Sequence, residues 1–400
     1  MNGISFIKAQ GGLGLTSPNE DNWSGLVFYV NSTNIPVGFT ASNKQIIYSD
    51  IEAVNLGVTE AAYPIEYYQI KEFFRLNNSA TLYLSFNSGL TYSSGYTYST
   101  GTTTYSEVQD LQIYSGGKLK QIGVLCYNGS GLTYSNDIGA LQTIAAALEV
   151  LEMPCSIIFG GNTKSVGLSS LSNLRALSAS KVSMVIGQDG SATGLSLYNT
   201  YGVSVPALGA ALGTISLAKV SENIGWVNKF NIKNEGTSEY DNPTFGNGIY
   251  VSSQTTTALT NIQNKGYIFL RKFVGLTGTY WNDSPTAVVE TSDYAYIENN
   301  RVFDKARRGI RKDVLPYVNS PIKIDPTSGK VDITTIKAIE NAATNSLSQM
   351  LSAEELSGYK VTINPNQNVL SSGILYITVA LVPIGVAREI IITLGFVLSV

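Results

Sequence analysis

Residues 121–159 read QIGVLCYNGSGLTYSNDIGALQTIAAALEVLEMPCSIIF, and this stretch decides the fold class. Residues 121–127 form an apolar run. Ile138, Leu141, Ala145, Leu148 and Leu151 then recur at helical spacing, and residues 155–159 are apolar again. Strands that are apolar on both sides of the pleat, separated by a helix, predict a parallel sheet covered on both faces. The pattern continues downstream. Leu168, Leu171, Leu174 and Leu177 predict a second helix, and residues 181–187 a third strand. Pro206 then opens a third helix with Leu208, Leu212 and Ile215 on one face, since proline suits a first helical turn. Upstream, short apolar runs at 26–30, 45–48 and 81–86 alternate with turn signals. The expected class is α/β (α+β overall), with a parallel-sheet N-terminal domain over residues 23–222.

A parallel sheet raises the question of an enzyme. A dinucleotide site needs a glycine fingerprint between the first strand and its helix. Gly129-Ser130-Gly131 lacks the third glycine and lies too far before Ile138, and the next strand ends FGGNTK without an acidic residue in place. No GxxxxGK[ST] follows any strand. Ser178 and Lys181 make an S-x-x-K pair without the K-T-G element that would accompany it in a lactamase-type site. The chain contains no histidine, which removes Ser-His-Asp and Cys-His catalysis and nearly every zinc site. The sheet is therefore assigned a structural role, with no catalytic residue, cofactor or metal. A histidine-free α/β hydrolase-type enzyme is the alternative.

Composition narrows the partners. Charged residues make up 14% of the 400, against roughly a quarter in ordinary soluble domains, while apolar content is ordinary at 44%. Such a chain either covers itself with Ser, Thr, Asn and Tyr or hides surface against partners. A net charge of −3 argues against nucleic acid or an anionic membrane held by bulk charge. Two cysteines, Cys126 and Cys155, read as small buried core residues and point to a reducing cytoplasm. Lys8 and Gly11-Gly12 interrupt the apolar start, so no signal peptide is expected. The longest apolar stretch, residues 373–387, has 15 residues and contains Pro383, whereas a spanning helix needs about 20. Residues 76–106 carry no charge, and TYSSGYTYSTGTTTYS at 91–106 reads as a Tyr/Ser/Thr-rich loop or hairpin within a surface loop at 88–106. Tyr92, Tyr96 and Tyr98 leave a glycan-binding adhesin as a further alternative.

Beyond Asn223 the composition changes. GYIFLRKFV at 266–274 predicts a strand. SDYAYIENNRVFDKARRGIRKDVLPYV predicts a long helix with Phe303, Ala306, Ile310 and Val314 as its apolar stripe. At about 100° per residue, Arg301, Lys305, Arg308 and Lys312 fall in one column on the other face. Between Glu298 and Asp313 there are six basic and three acidic side chains, a local +3 in a chain of −3. That concentration suits docking to an acidic partner. A second helix carries Ile333, Ile336, Ile339, Ala343, Leu347 and Met350, and β-structure closes the sequence. The terminal segment 389–400 is β-branched and nearly uncharged, an aggregation hazard unless paired. Pairing within its own subunit, or lending it to a neighbour's sheet edge, would protect it.

GYIFLRKFVGLTGTYWNDSPTA, SDYAYIENNRVFDKARRGIR, TINPNQNVLSS and VPIGVAREIIITLGFVLSV, in this order over residues 266–400, resemble the C-terminal region of contractile tail-sheath proteins of phage tails and phage-tail-like injection systems. The resemblance implies a mixed α/β C-terminal sheath domain over 223–387, an N-terminal arm at 1–22 and a C-terminal exchange strand at 388–400. It implies a virion-type structural subunit, not an enzyme. Such subunits stack as hexameric rings around an inner tube, together with baseplate and terminator proteins. They are linked by β-strand exchange through Glu389, Ile390, Ile391, Ile392, Thr393, Leu394, Phe396 and Val397. It also implies assembly in the bacterial cytoplasm into a metastable particle that contracts, without nucleic acid, membrane insertion or cofactor. The column Arg301, Lys305, Arg308, Lys312 would face the tube.

Overall fold

The computed structural model describes residues 20–31, 35–90, 104–127, 134–233 and 236–396. The expected N-terminal arm up to residue 19, the tyrosine-rich stretch 91–103, Gly129-Ser130-Gly131 and Val397 lie outside these residues. The chain divides into two compact units, Met1–Lys305 and Ala306–Val400.

The first unit runs β1 (Ser24–Asn31), β2 (Lys44–Ile47), α1 (Asp50–Asn55), α2 (Pro64–Leu76), β3 (Leu82–Leu90), α3 (Ser106–Tyr114), β4 (Gln121–Leu125), α4 (Tyr134–Val150), β5 (Ser156–Gly160) and β6 (Val182–Val185). It continues with β7 (Gly187–Asp189), α5 (Thr193–Tyr201), α6 (Leu208–Leu217), β8 (Pro243–Phe245), α7 (Thr256–Asn264), β9 (Tyr267–Ile268), β10 (Leu270–Arg271) and β11 (Tyr280–Trp281). Helix α8 (Ile297–Val314) crosses into the second unit, which adds α9 (Ile333–Ser352), β12 (Leu356–Ile363), the single turn α10 (Val369–Ser372) and β13 (Ile377–Pro383).

Among the described residues the main sheet has the order β2-β3-β1-β4-β5-β6-β9. All its pairings are parallel except β2 against β3. Every residue of β4, β5 and β6 is buried, as continuous apolar strands require. One face receives α6, whose residues 208–216 are all buried. Glycines make its seat. A Cβ at Gly123 would lie 2.8 Å from Leu26 and 3.4 Å from Leu212, and one at Gly160 would lie 3.0 Å from Pro206. On its other side α6 meets α2 still more closely. A Cβ at Gly209 would sit 1.9 Å from the Gln69 carbonyl oxygen, and the Gln69 side chain accepts from Gly209 N–H (2.7 Å) and donates to Pro206 O (3.0 Å). Gly209→Ala is therefore expected to destabilise the protein by about 2–3 kcal/mol through overpacking. Gly139→Ala, on an exposed part of α4 with nothing within 4 Å of the new methyl, should stabilise by about 0.5–1 kcal/mol. Urea unfolding of the two variants checks both signs.

Three local expectations change. The leucine repeat at 168–177 forms two 3₁₀ turns, Leu168–Ser170 and Leu174–Ala176, and not an α-helix. Its strict three-residue spacing suits the tighter helix, and the intervening Ser and Asn side chains compete for the backbone; Asn173 caps Arg175 N–H at 3.0 Å. The run 181–187 splits between β6 and β7, which pair in different sheets. The run 266–274 splits likewise: β9 pairs with β6 and β10 with β11, with the Asn282 side chain accepting from Phe269 N–H between them (2.7 Å). Residues 267–268 thus complete the first sheet, well past the composition change at Asn223.

In the second unit, Ile336, Ile339, Ala343, Leu347 and Met350 form the buried stripe of α9, while Ile333 is exposed. Ile336 and Ile339 close a small core with Val331 and Ile363. Strands β12 and β13 pair antiparallel, with Ile363 opposite Ile377 and Tyr359 opposite Leu381.

Candidate assembly site

Residues 384–396 leave β13 without regular secondary structure. Ile390, Ile391, Ile392, Leu394 and Phe396 are 77–110% exposed, and Glu389 and Thr393 are exposed beside them. Three consecutive isoleucines put large apolar groups on both faces of an extended chain, the pattern of a strand buried on both sides. Residues 389–396 thus form an exposed apolar strip.

The β12–β13 sheet has two strands, so each has an outer edge with no strand beside it among the described residues. Isolated hairpins are marginal in water. Here one end is tied to α9, where Glu340 accepts from Ile363 N–H (3.0 Å) and from Lys337 Nζ (2.6 Å). These bonds hold the Glu340 carboxyl below its ordinary pKa, with the Lys337 contact the largest cause. The rest stays half-open: residues alternate between half-buried and exposed along both strands, and Val382 is 54% exposed.

The basic column on α8 does not form one solvent-facing surface. Arg301 is only 3% exposed, and its guanidinium donates to the carbonyls of Ala218 and Lys219 (3.2 Å), just past the end of α6. A cation there suits the negative end of the helix dipole. Lys305 pairs with buried Asp21 (2.7 Å). Phe303, assigned to the apolar stripe, is instead 37% exposed against Tyr294. The first half of α8 turns polar groups inward because each finds a partner there; Asp304, also buried, pairs with Lys181 at 2.6 Å. Periodicity alone missed Asp21, Lys181 and Asp304, since their partners lie 123 or more residues away. Arg308 is half-buried and Lys312 exposed, both within the second unit.

In a sheet of this order the connections reverse direction between β1 and β4, and their C-terminal ends are where such folds usually bind ligands. That crevice is filled with aromatic side chains. Tyr105 is fully buried, donates to Asp137 (2.7 Å) and packs edge-on against Tyr29 and Phe159. Tyr29 donates to Glu107 (2.9 Å), and Tyr134 donates to the Asn162 carbonyl. Burial, with neighbouring carboxylates adding to it, pushes the Tyr29 and Tyr105 hydroxyls far above the ordinary phenol range, so they remain neutral donors.

Lys181 of the S-x-x-K pair is held by Asp304 at 2.6 Å and by Glu149 at 3.3 Å, so its ammonium is engaged in ion pairs and not directed at Ser178. Cys126 and Cys155 are both buried. The register pairs Gln121 with Ser156 and Leu125 with Gly160, so the two cysteines lie at opposite ends of adjacent strands, about 20 Å apart. Among the described residues no group of three or more Cys, Asp and Glu is placed to hold a metal ion, and no helix is long and apolar enough to cross a membrane.

The fold is that of known sheath proteins. The chain superposes over its full length on a chain of the anti-feeding prophage baseplate (TM-score 0.62, 16% identity, 100% of both chains covered). It matches a chain of the contracted sheath complex of PVC, an extracellular contractile injection system, at TM-score 0.60 and 14% identity, covering 100% of this chain and 98% of that one. The sheath tail protein Lin1278 from Listeria innocua matches at TM-score 0.55 and 9% identity over 90% and 94% of the two chains. No curated protein matches the chain. The DUF2586 N-terminal domain model matches residues 1–285 and the DUF2586 C-terminal domain model residues 293–400, so the chain belongs to the DUF2586 family.

Proposed function

We propose that the protein is the structural subunit of a contractile sheath. Subunits stack as hexameric rings around an inner tube, and contraction drives the tube through a target envelope. The observation that carries this reading is the exposed apolar segment at 389–396, on a chain whose whole fold matches sheath proteins. In this reading the segment lies along an outer edge of the β12–β13 sheet in a neighbouring copy, and residues 1–19, preceding the buried Asp21, supply a second arm. The aromatic filling between β1 and β4 favours a structural sheet over an enzyme active site. Assembly takes place in the bacterial cytoplasm, and the baseplate is a further partner. Negative-stain images of the concentrated protein should show ribbed tubes or stacked rings. Uniform single particles at every concentration and salt would reject the reading.

Arg308 and Lys312 are the part of the basic column retained as the tube-facing surface. The double variant Arg308→Glu and Lys312→Glu should lower co-sedimentation with the tube protein at least tenfold, with little change in sheath self-association. Salt should imitate the effect, as it screens exposed charges. Equal loss of both activities would place these residues between sheath subunits instead.

A further inference from the structure

The hairpin joining β10 to β11 presents an apolar tip. Val274 is 107% exposed and Leu276 53% exposed. The turn is held from several sides. Gly275 and Gly278 adopt φ of +85° and +120°, which other residues rarely reach. Asn231 accepts from Thr279 N–H (3.0 Å), and Tyr280 donates to Thr277 O (2.7 Å). Phe273 stacks between Tyr280 and the Arg271 guanidinium, 4.2 Å from its ring centre. A fixed backbone therefore holds two apolar side chains out in water, beside the cations Arg271 and Lys272.

The second unit contains a groove of about 970 Å³ between the end of α8 and α9. Pro316, Tyr317 and Pro321 line it together with Ala338 and Ala342 of α9, and apart from Asp313 the remaining lining side chains are uncharged Ser, Thr and Asn. Asp313 is the one charged residue lining it; its Oδ2 accepts from Ser346 N–H (3.0 Å). The tip is apolar with flanking positive charge, and the groove is lined by uncharged side chains apart from the single negative charge of Asp313.

We propose that Val274 and Leu276 of one copy seat in the Pro316–Ala342 groove of a second copy, with Lys272 or Arg271 facing Asp313. The tip and groove are different surfaces, so the contact is head-to-tail and propagates into a ring or a helix. The inference rests on the sheath reading and adds to it a contact independent of the terminal segment.

The test uses two full-length variants that each add one cysteine, Val274→Cys and Ala338→Cys, carrying different tags and assembled together. The native cysteines are buried, so mild oxidation should join most of the mixed pairs. Each variant assembled alone should give less than a tenth of that yield. Mixing separates a link between copies from one within a chain. Val274→Asp should reduce the assembled fraction at least tenfold at unchanged Tm, whereas Val274→Leu should assemble normally. Particles that form without mixed dimers, or a Val274→Cys link to the tube protein, would overturn the contact while leaving the sheath reading intact. If the cysteine variants do not assemble, the Asp and Leu pair decides: normal assembly of Val274→Asp overturns the proposal. Wild-type protein that forms neither rings nor tubes would instead fail the sheath reading itself.

Discussion

Deleting residues 389–400 is expected to abolish ordered assembly while leaving the subunit folded. The five described large apolar side chains in this segment are 77–110% exposed, so their removal takes nothing from either core. The unfolding midpoint should stay within about 2 °C of wild type, since surface changes cost little. Assembly is a different matter. Burying these side chains on a neighbour gains on the order of 10 kcal/mol gross. Ordering twelve residues costs about 1–2 kcal/mol each, so a single exchange is marginal. Ladder hydrogen bonds and repetition through a lattice make it decisive. Sedimentation of the truncated protein should show at least a hundredfold loss of high-mass species. The single change Ile391→Asp should reproduce most of that loss, because a charge on a doubly buried strand has no partner. A truncated chain that still forms rings would move the main contacts elsewhere.

The second large effect concerns stability. Lys181 is 4% exposed, and its ammonium sits 2.6 Å from Asp304 and 3.3 Å from Glu149. Replacing it with Met leaves the Asp304 carboxylate, 3% exposed, without its nearest cation. Breaking a buried pair from one side costs about 3–5 kcal/mol. Lys181→Met should therefore lower the urea midpoint substantially. The double variant Lys181→Met with Asp304→Leu should recover much of the loss, because it removes the stranded charge as well. A Lys181→Met protein within about 0.5 kcal/mol of wild type would mean that water or another group already solvates Asp304. The pair matters beyond stability: it binds β6 to α8 close to the place where the chain passes from one unit to the other.

Much of the first unit was legible in the residues. Gln121-Ile-Gly-Val-Leu and Ser156-Ile-Ile-Phe-Gly are buried on both faces, and their apolar continuity announces that directly. The stripe Ile336, Ile339, Ala343, Leu347 and Met350 was equally plain, because α9 is amphipathic and its buried positions are all apolar. Helix α8 misled for the opposite reason. Its charges at 301, 304 and 305 look like a solvent face, yet they point inward to Ala218, Lys181 and Asp21. Long-range pairing of this kind leaves no local periodicity. The leucines at 168–177 show a second limit, since a three-residue repeat supports a 3₁₀ turn as well as an α-helix, and Ser and Asn tip the balance. The exposed tip at Val274 was hidden in a run that looked like one strand; only the change of partner between β9 and β10 turns it outward. The apolar character of 389–396 was plain from composition, whereas its exposure was not, since pairing within its own subunit fitted the residues equally well.

In the proposed sheath this strip completes a neighbour's sheet. A helical cryo-EM reconstruction of the assembled particle tests it most directly. Residues 389–396 of one copy should run as a strand along an outer edge of the β12–β13 sheet of another. Finding those residues paired within their own subunit, or lying free on the particle surface, would contradict it.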